Sequence, residues 1–476
     1  MGGTVELPMW LAAIIVALAV LWLAERLLIP TVRWFLRRRV NEAIDELNTH
    51  LRLRIQPFKL TRRQSLVDRL IYDQDIVRAI EAHAAATGEP RAVAMARVES
   101  YAREIVPKFN AYAYFRFGTG AARFLSRLLY RVRLGYMDDK ALRAVDPDAT
   151  VVFVINHRSN MDYVLVTYLA ASSSALSYAV GEWARVWLLQ SVIRAMGAYF
   201  IRRDSGDPLY RKVLARYVQL ATAEGVTQAV FPEGGLSRDG ALRPAKLGLL
   251  SYMVARFDPE GERDLVFVPV GINYDRVLED RNLTASLARA AGAPHQRRGA
   301  VAVVRYVARA LALKSAGRWH RYGYASVSFG HPSSLRAWLA DRHLDFRKLP
   351  DTERFTAIEA LGQTLMAEVA RVVPVLPVSL VATLFVRAEG RAMSEIEVKA
   401  GTVALMDELR AKDVHVHVPR QDRDYAVSAG LRMLTLRRLV AERDGLYAAD
   451  PAEMVLMRYY ANAIAHHFDR PLPSSN

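Results

Sequence analysis

The chain has 476 residues, 52% of them hydrophobic and 24% charged, which allows one large core with extensions or two to three domains. Cysteine is absent, excluding a disulfide framework, a thiolate nucleophile and cysteine-ligated zinc. A net charge of +16 suits anionic partners: phospholipid surfaces, nucleic acid or phosphorylated substrates.

From Leu7 to Ala24 the sequence LPMWLAAIIVALAVLWLA carries no charge, and it continues into Leu27-Leu28-Ile29. Roughly 20 such residues, rising about 1.5 Å each, cross a hydrocarbon core of about 30 Å. Arg33, Arg37, Arg38 and Arg39 follow the stretch and no basic residue precedes it. Residues 1–30 are therefore expected to form a membrane-anchoring helix with the rest of the chain on the cytoplasmic side. A cleaved signal peptide would carry its basic flank at the other end. Residues 31–65 hold nine basic and three acidic residues. That segment reads either as a surface for anionic headgroups or as a solvated helix face. Residues 66–135 read as helices broken at Thr87-Gly88-Glu89-Pro90, within a basic helical N-terminal region over 31–147.

The texture changes near residue 148, where Val151-Val152-Phe153-Val154-Ile155 predicts a buried strand. Further strand-like runs are 198–201, 227–231, 265–270 and 325–329, separated by amphipathic segments such as 209–224. Strands alternating with helices predict an α/β domain over 148–390 with a largely buried sheet. After about 390 the pattern turns mainly helical to the end.

Four elements carry chemistry. The first strand ends in Asn156-His157-Arg158-Ser159-Asn160-Met161-Asp162, and strand ends are where α/β sheets bind ligands. The five-residue spacing can bring Asp162 to one imidazole nitrogen of His157, leaving the other free to take a proton. The same pair also reads as a loop histidine beside a helix-capping aspartate. Next comes Phe200-Ile201-Arg202-Arg203-Asp204, whose paired arginines can grip phosphate with planar forks. The third element is Phe231-Pro232-Glu233-Gly234-Gly235-Leu236-Ser237-Arg238-Asp239-Gly240, with Arg243 and Lys246 close behind. Its glycines can bring backbone N–H groups to an anion, or merely supply positive φ in a turn. The fourth is the strand Phe267-Val268-Pro269-Val270 running into Gly271-Ile272-Asn273-Tyr274.

As an ordered set over about 150–275, these elements resemble the glycerolipid acyltransferase superfamily, and within it the membrane-bound glycerol-3-phosphate acyltransferases. The segments Pro374 to Leu384 and Tyr459 to Phe468 (YYANAIAHHF) are similar too. The resemblance implies a mixed-sheet α/β acyltransferase core with flanking helices, preceded by the membrane helix and helical N-terminal region and followed by a helical C-terminal region (391–476). It implies that His157 is a general base oriented by Asp162. Arg202, Arg203, Glu233, Gly234, Gly235, Ser237, Arg238 and Lys246 would bind the phosphorylated acceptor. The reaction it implies moves an acyl group from acyl-CoA or acyl carrier protein to the sn-1 hydroxyl of glycerol 3-phosphate, with no metal and no cofactor. An anionic phospholipid membrane is the implied partner, at a bacterial inner membrane with the catalytic part cytoplasmic. One residue departs from the family pattern: Leu236 stands where an arginine often directly follows Glu-Gly-Gly or Glu-Gly-Thr, and Arg243 or Lys246 would have to compensate. The Asn-His and Phe-Pro-Glu-Gly wording also resembles lysophosphatidate acyltransferases, and dihydroxyacetone phosphate is a further alternative acceptor.

Other classes fit less well. No nucleic-acid-binding motif accompanies the positive charge. His415, His417, His466 and His467 lack the acidic company of a metal site. No G-x-S-x-G elbow occurs to support a covalent hydrolase. A non-catalytic membrane adaptor on the same fold would not need both His157 and Asp162. Trp183, Val186, Trp187 and Leu188 read either as ordinary core or as the lining of an acyl groove.

Overall fold

The computed structural model describes Met9 and residues 56–61, 63–109, 114, 118–170, 177–180, 197–202, 205–288 and 321–473. The chain divides into two units, Met1–Arg52 and Leu53–Asn476, and the architecture below is that of the second. The expected membrane helix over 1–30, Arg203 and the Trp183–Leu188 cluster lie outside the described residues. Among the described residues no helix is long and apolar enough to cross a membrane.

Eight strands make one sheet: β1 (Arg131–Met137), β2 (Thr150–Ile155), β3 (Ser177–Val180), β4 (Tyr199–Phe200), β5 (Gln228–Val230), β6 (Leu265–Tyr274), β7 (Tyr324–Phe329) and β8 (Ser333–Ser334). Their order is β1-β7-β6-β2-β5-β3-β4, with β8 paired to β6. The strands from β6 through β4 run parallel, β7 runs antiparallel to β6, and β1 runs parallel to β7. The sheet is thus mixed, as expected. The helical reading of 66–135 fails at its end, where β1 forms. As an edge strand with arginines and a glycine, β1 lacks the continuous apolar run that marks β2.

Every residue of β2 is buried, so successive side chains serve two separate cores. Val152 and Val154 join Leu265 and Phe267 against helices α1 (Arg63–Ile71), α2 (Gln74–Thr87) and α3 (Arg91–Ile105). Val151, Phe153 and Ile155 face the other way, toward α4 (Met161–Ala170). Helix α5 (Pro208–Ala223) and the 22-residue α6 (Asp351–Val372) share the first core. The second core is completed by α7 (Pro377–Arg387), α8 (Glu395–Arg410), α9 (Arg423–Leu436) and α10 (Met454–Asn462).

The region after 390 is helical but also holds a small antiparallel sheet, β9 (Met393–Ser394), β10 (Val440–Arg443) and β11 (Leu446–Ala449). Asp444 and Gly445, at φ 51° and 75°, turn the β10–β11 hairpin. Asp-Gly between two short strands is a hairpin signal that the helical reading passed over.

Asp207 shows how these layers are pinned. It caps α5, accepting from Leu209 N (2.9 Å) and Tyr210 N (3.3 Å), while Arg97 (2.6 Å) and the Tyr101 hydroxyl (2.5 Å) reach it from α3. Burial alone would raise its pKa, but the hydrogen bonds from Tyr101 and Arg97 outweigh it and hold the carboxyl at about 2. A folded pKa below the unfolded value stabilises the fold fully above that unfolded value, and the contribution is lost as pH falls toward 2. The Asp207→Asn variant is expected to lose about 2 kcal/mol at pH 7 and to show a weaker dependence on acid between about pH 4 and 2. Urea titrations across that range measure both.

Candidate active site

Asn156 fixes the end of β2. Its side-chain amide donates to Ile272 O (2.9 Å) and its oxygen accepts from Ile272 N (2.7 Å), as another backbone unit would. The chain then leaves the sheet at His157, between the parallel neighbours β6 and β5. The loop after β5 lies at the same end of the sheet, and the two loops interlock. His157 N donates to Glu233 Oε1 (2.8 Å), and Ser237 N donates to His157 O (2.9 Å).

The imidazole is buried, at 1% exposure. Phe231 lies against it at 4.3 Å between ring centroids and Tyr163 meets it edge-on at 5.4 Å. His157 Nδ1 is 2.9 Å from Asp162 Oδ2. That same oxygen accepts from Arg158 N (2.7 Å) and Ser159 N (3.0 Å), and Oδ1 accepts the Tyr274 hydroxyl (2.6 Å). A carboxylate receiving two backbone N–H groups and a phenol acts as an acceptor, so the proton between His157 and Asp162 sits on Nδ1. His157 Nε2 keeps its lone pair, and it is buried with no hydrogen-bond partner. Of the two readings of the spacing, the orienting one fits: Asp162 holds the ring and the N–H groups of the preceding turn, while Ser159 Oγ, not Asp162, accepts from Met161 N (3.1 Å) at the helix start.

A second carboxylate steadies this turn. Glu279 accepts from Ser159 Oγ (2.8 Å) and from Asn160 N (3.3 Å) and Nδ2 (3.1 Å), while burial pushes its pKa up. Its neighbour Asp280 binds Arg437 Nη2 (2.5 Å) and the Tyr460 hydroxyl, tying α9 and α10 to the same segment. Burial pushes the Glu233 carboxyl up to about 7, against the opposing pull of the His157 N–H and Arg158, and its Oε2 has no partner.

The phosphate-site residues expected from the sequence divide into three groups. Glu233, Gly234, Gly235, Ser237, Arg238 and Lys246 do lie on the loop that packs against His157. Within it, Ser237 is spent on the loop itself, its hydroxyl donating to Ala241 O (2.7 Å). Gly234 at φ +68° has a reason to be glycine, because a Cβ there would stand 2.6 Å from the Lys246 stem. Arg238 and Lys246 are exposed, and no ion pair engages either among the described residues. Arg243 lies 3.8 Å from Asp239. Arg202 stands apart from these. It follows β4, three strands from β2, or roughly 14 Å at ordinary strand spacing. Its guanidinium is forked onto Glu104 (Nε–Oε1 3.1 Å, Nη2–Oε2 2.6 Å) between the rings of Tyr101 and Tyr210. Arg203 lies outside the described residues.

Two features of the site escaped the sequence reading. Arg158, buried at 3%, donates through Nη1 to Gly240 O (2.5 Å) and stacks on the Tyr459 ring at 5.0 Å. The C-terminal helix thereby forms a wall of the loop, and Asn462 Nδ2 adds a bond to Asp239 O (2.9 Å). The histidines at 466 and 467 are structural: each ring Nε2 lies 3.1 Å from a carbonyl at the end of α6, Ala370 O and Val373 O. Among the described residues no cluster of three acids or histidines could hold a metal ion.

Fold and site together define an α/β protein with a histidine–aspartate dyad at the carboxyl end of a central parallel strand. Two family models match: Acyltransferase over residues 138–273, and the glycerol-3-phosphate acyltransferase C-terminal region over 310–471. Over these two regions the chain is similar to the acyltransferases and to the C-terminal region of the glycerol-3-phosphate acyltransferases. Among its curated relatives, glycerol-3-phosphate acyltransferase from Aeromonas hydrophila is 27% identical over 87% of this chain and 51% of its own length. The protein of the same name from Alteromonas mediterranea is 28% identical over 87% of this chain and 50% of its own length. The chain thus spans about half the length of these relatives. A crystal structure of the 1-acyl-sn-glycerophosphate (LPA) acyltransferase PlsC from Thermotoga maritima is 16% identical. It covers 54% of this chain and 77% of that one at a TM-score of 0.29, too slight a likeness to bear on the fold.

Proposed function

We propose that the protein transfers an acyl group from a thioester, acyl-CoA or acyl carrier protein, to the sn-1 hydroxyl of glycerol 3-phosphate. The observation that carries this reading is His157 Nε2, a buried basic nitrogen without a partner on a ring whose other nitrogen is held by Asp162. His157 Nε2 takes the proton from the acceptor hydroxyl as its oxygen attacks the thioester carbonyl. The imidazolium that forms faces the Asp162 carboxylate. Collapse of the tetrahedral intermediate breaks the C–S bond, and the departing thiolate takes the proton from Nε2. The N–H groups of Gly235 and Leu236, without acceptors among the described residues, are the donors available to the developing oxyanion. Gly234 N is already engaged with Phe231 O (3.0 Å).

The names of the relatives support glycerol 3-phosphate as acceptor, and Arg238, Arg243 and Lys246 supply cations around the loop. Arg202 joins such a grip only by leaving Glu104. Detergent-purified protein should acylate glycerol 3-phosphate in preference to dihydroxyacetone phosphate, lysophosphatidate and lysophospholipids when given labelled donor. A clear preference for lysophosphatidate would reassign the acceptor. In the same assay Arg238→Ala should raise KM for the phosphorylated acceptor about ten- to a hundred-fold while leaving KM for the donor near its original value.

Attachment to an anionic membrane through residues 7–29, aided by the basic segment that follows, belongs to the same proposal. Deleting residues 1–30 should leave an association that high salt releases, because headgroup attraction is screened within about 8–10 Å. Full-length protein floating free of membranes without detergent would end this part of the reading.

A further inference from the structure

We propose that Tyr274 is a positioning residue for the base, setting both the orientation of Asp162 and the basicity of His157 through a single hydrogen bond. The inference rests on the reading of His157 as the base. Tyr274 itself touches no reacting atom.

The geometry is that of a relay with one donor at its far end. Asp162 Oδ2 has three donors, from His157, Arg158 and Ser159, whereas Oδ1 has the Tyr274 hydroxyl at 2.6 Å. Tyr274 and Asp162 are both 0% exposed, so water does not substitute for that donor. Tyr274 closes β6, the strand locked to the base-bearing turn two residues earlier by the Asn156–Ile272 pair. Its ring is held against Tyr130 at 5.2 Å between centroids. Burial and the adjacent carboxylate push its phenol well above the ordinary value, so it remains a donor across the working pH range. The hydroxyl therefore does two things. It fixes the carboxylate plane so that Oδ2 faces Nδ1, and it takes up part of the carboxylate charge that would otherwise act on the imidazole alone. Other charged groups also act on the dyad, namely Glu233 and Arg158 on the loop side and Glu279 across the turn. None of them bonds to Oδ1.

The test is Tyr274→Phe in the full-length protein, which keeps the ring in its packed place and removes only the oxygen. We expect kcat to fall at least about tenfold with KM for glycerol 3-phosphate within about twofold. The acid limb of the kcat/KM profile should move to higher pH by about half a unit or more, because the less-compensated carboxylate favours the imidazolium. The double variant Tyr274→Phe/Asp162→Asn should be no slower than Asp162→Asn alone, as expected of residues acting in series. Tyr130→Phe serves as control: it removes a neighbouring buried hydroxyl that donates to Arg276 O (2.8 Å), and it should leave the pH profile unmoved. A Tyr274→Phe enzyme with unaltered kcat and acid limb would overturn the inference while His157→Ala remained inactive. Losses that multiply in the double variant, or an equal shift in Tyr130→Phe, would do so too. If His157→Ala keeps normal turnover, the base assignment falls and this inference with it.

Discussion

Replacing His157 with alanine is expected to lower turnover by about 10²–10⁴-fold, equivalent to about 3–5 kcal/mol in the barrier. The argument is local. His157 Nε2 is a buried imidazole nitrogen at the sheet's carboxyl end whose lone pair is uncommitted, on a ring that Asp162 fixes from behind. The ring is also packing material against Phe231 and Tyr163, so a fall in stability must be separated from a fall in chemistry. Melting curves and KM for both substrates make that separation. Asp162→Asn should act differently. The amide oxygen can still accept from Arg158 N, Ser159 N and the ring, so the tautomer survives while the negative charge on which the Tyr274 hydroxyl acts is lost. A drop of about 10²–10³-fold follows, reflecting the imidazolium left without its counter-charge. Near-normal turnover of His157→Ala would demand another mechanism.

The second large effect is expected at Gly240, a residue with no acid–base role of its own whose carbonyl accepts from Arg158, next to the base. Its φ is +86°, and a Cβ there would lie 1.9 Å from Tyr459 O, against backbone that cannot rotate away. Gly240→Ala must either strain the loop or push α10 off it. The push would withdraw Gly240 O from Arg158 Nη1 and loosen the Asn462–Asp239 bond. We expect a stability loss of about 2–4 kcal/mol, with at least a tenfold loss of activity, because the same loop holds Glu233 against His157. Gly445→Ala is the matched comparison, since that glycine has φ +75° and open space around it. It should cost only the backbone penalty of about 1 kcal/mol and leave activity intact. Denaturant titrations of the two variants side by side, with activity measured on the same preparations, test the close approach itself. Equal losses in the two would show that Gly240 matters for its dihedral angle and not for the contact with α10.

Several parts of this protein were legible in the sequence because they are local. The strand at Val151–Ile155 is an unbroken apolar run, His157 and Asp162 are five residues apart across one turn, and Glu233 and Gly234 sit on a loop directly after a strand. The chemistry such residue types support follows from spacing alone. What the tertiary structure decided involves partners far apart in the chain. Tyr274 reaches Asp162 from 112 residues away, and Glu279 reaches Ser159 from 120. Arg202 looked like a phosphate ligand because paired arginines at a strand end can be one. Strand order, which periodicity does not encode, placed it three strands from His157 and beside Glu104. Edge strand β1 was misread as helix because its exposed, arginine-bearing sequence pairs only through β7, almost two hundred residues later. The C-terminal helix became a wall of the site for the same reason. A backbone-to-backbone approach between Gly240 and Tyr459 leaves in the sequence only one glycine and one tyrosine, and packing alone brings them together.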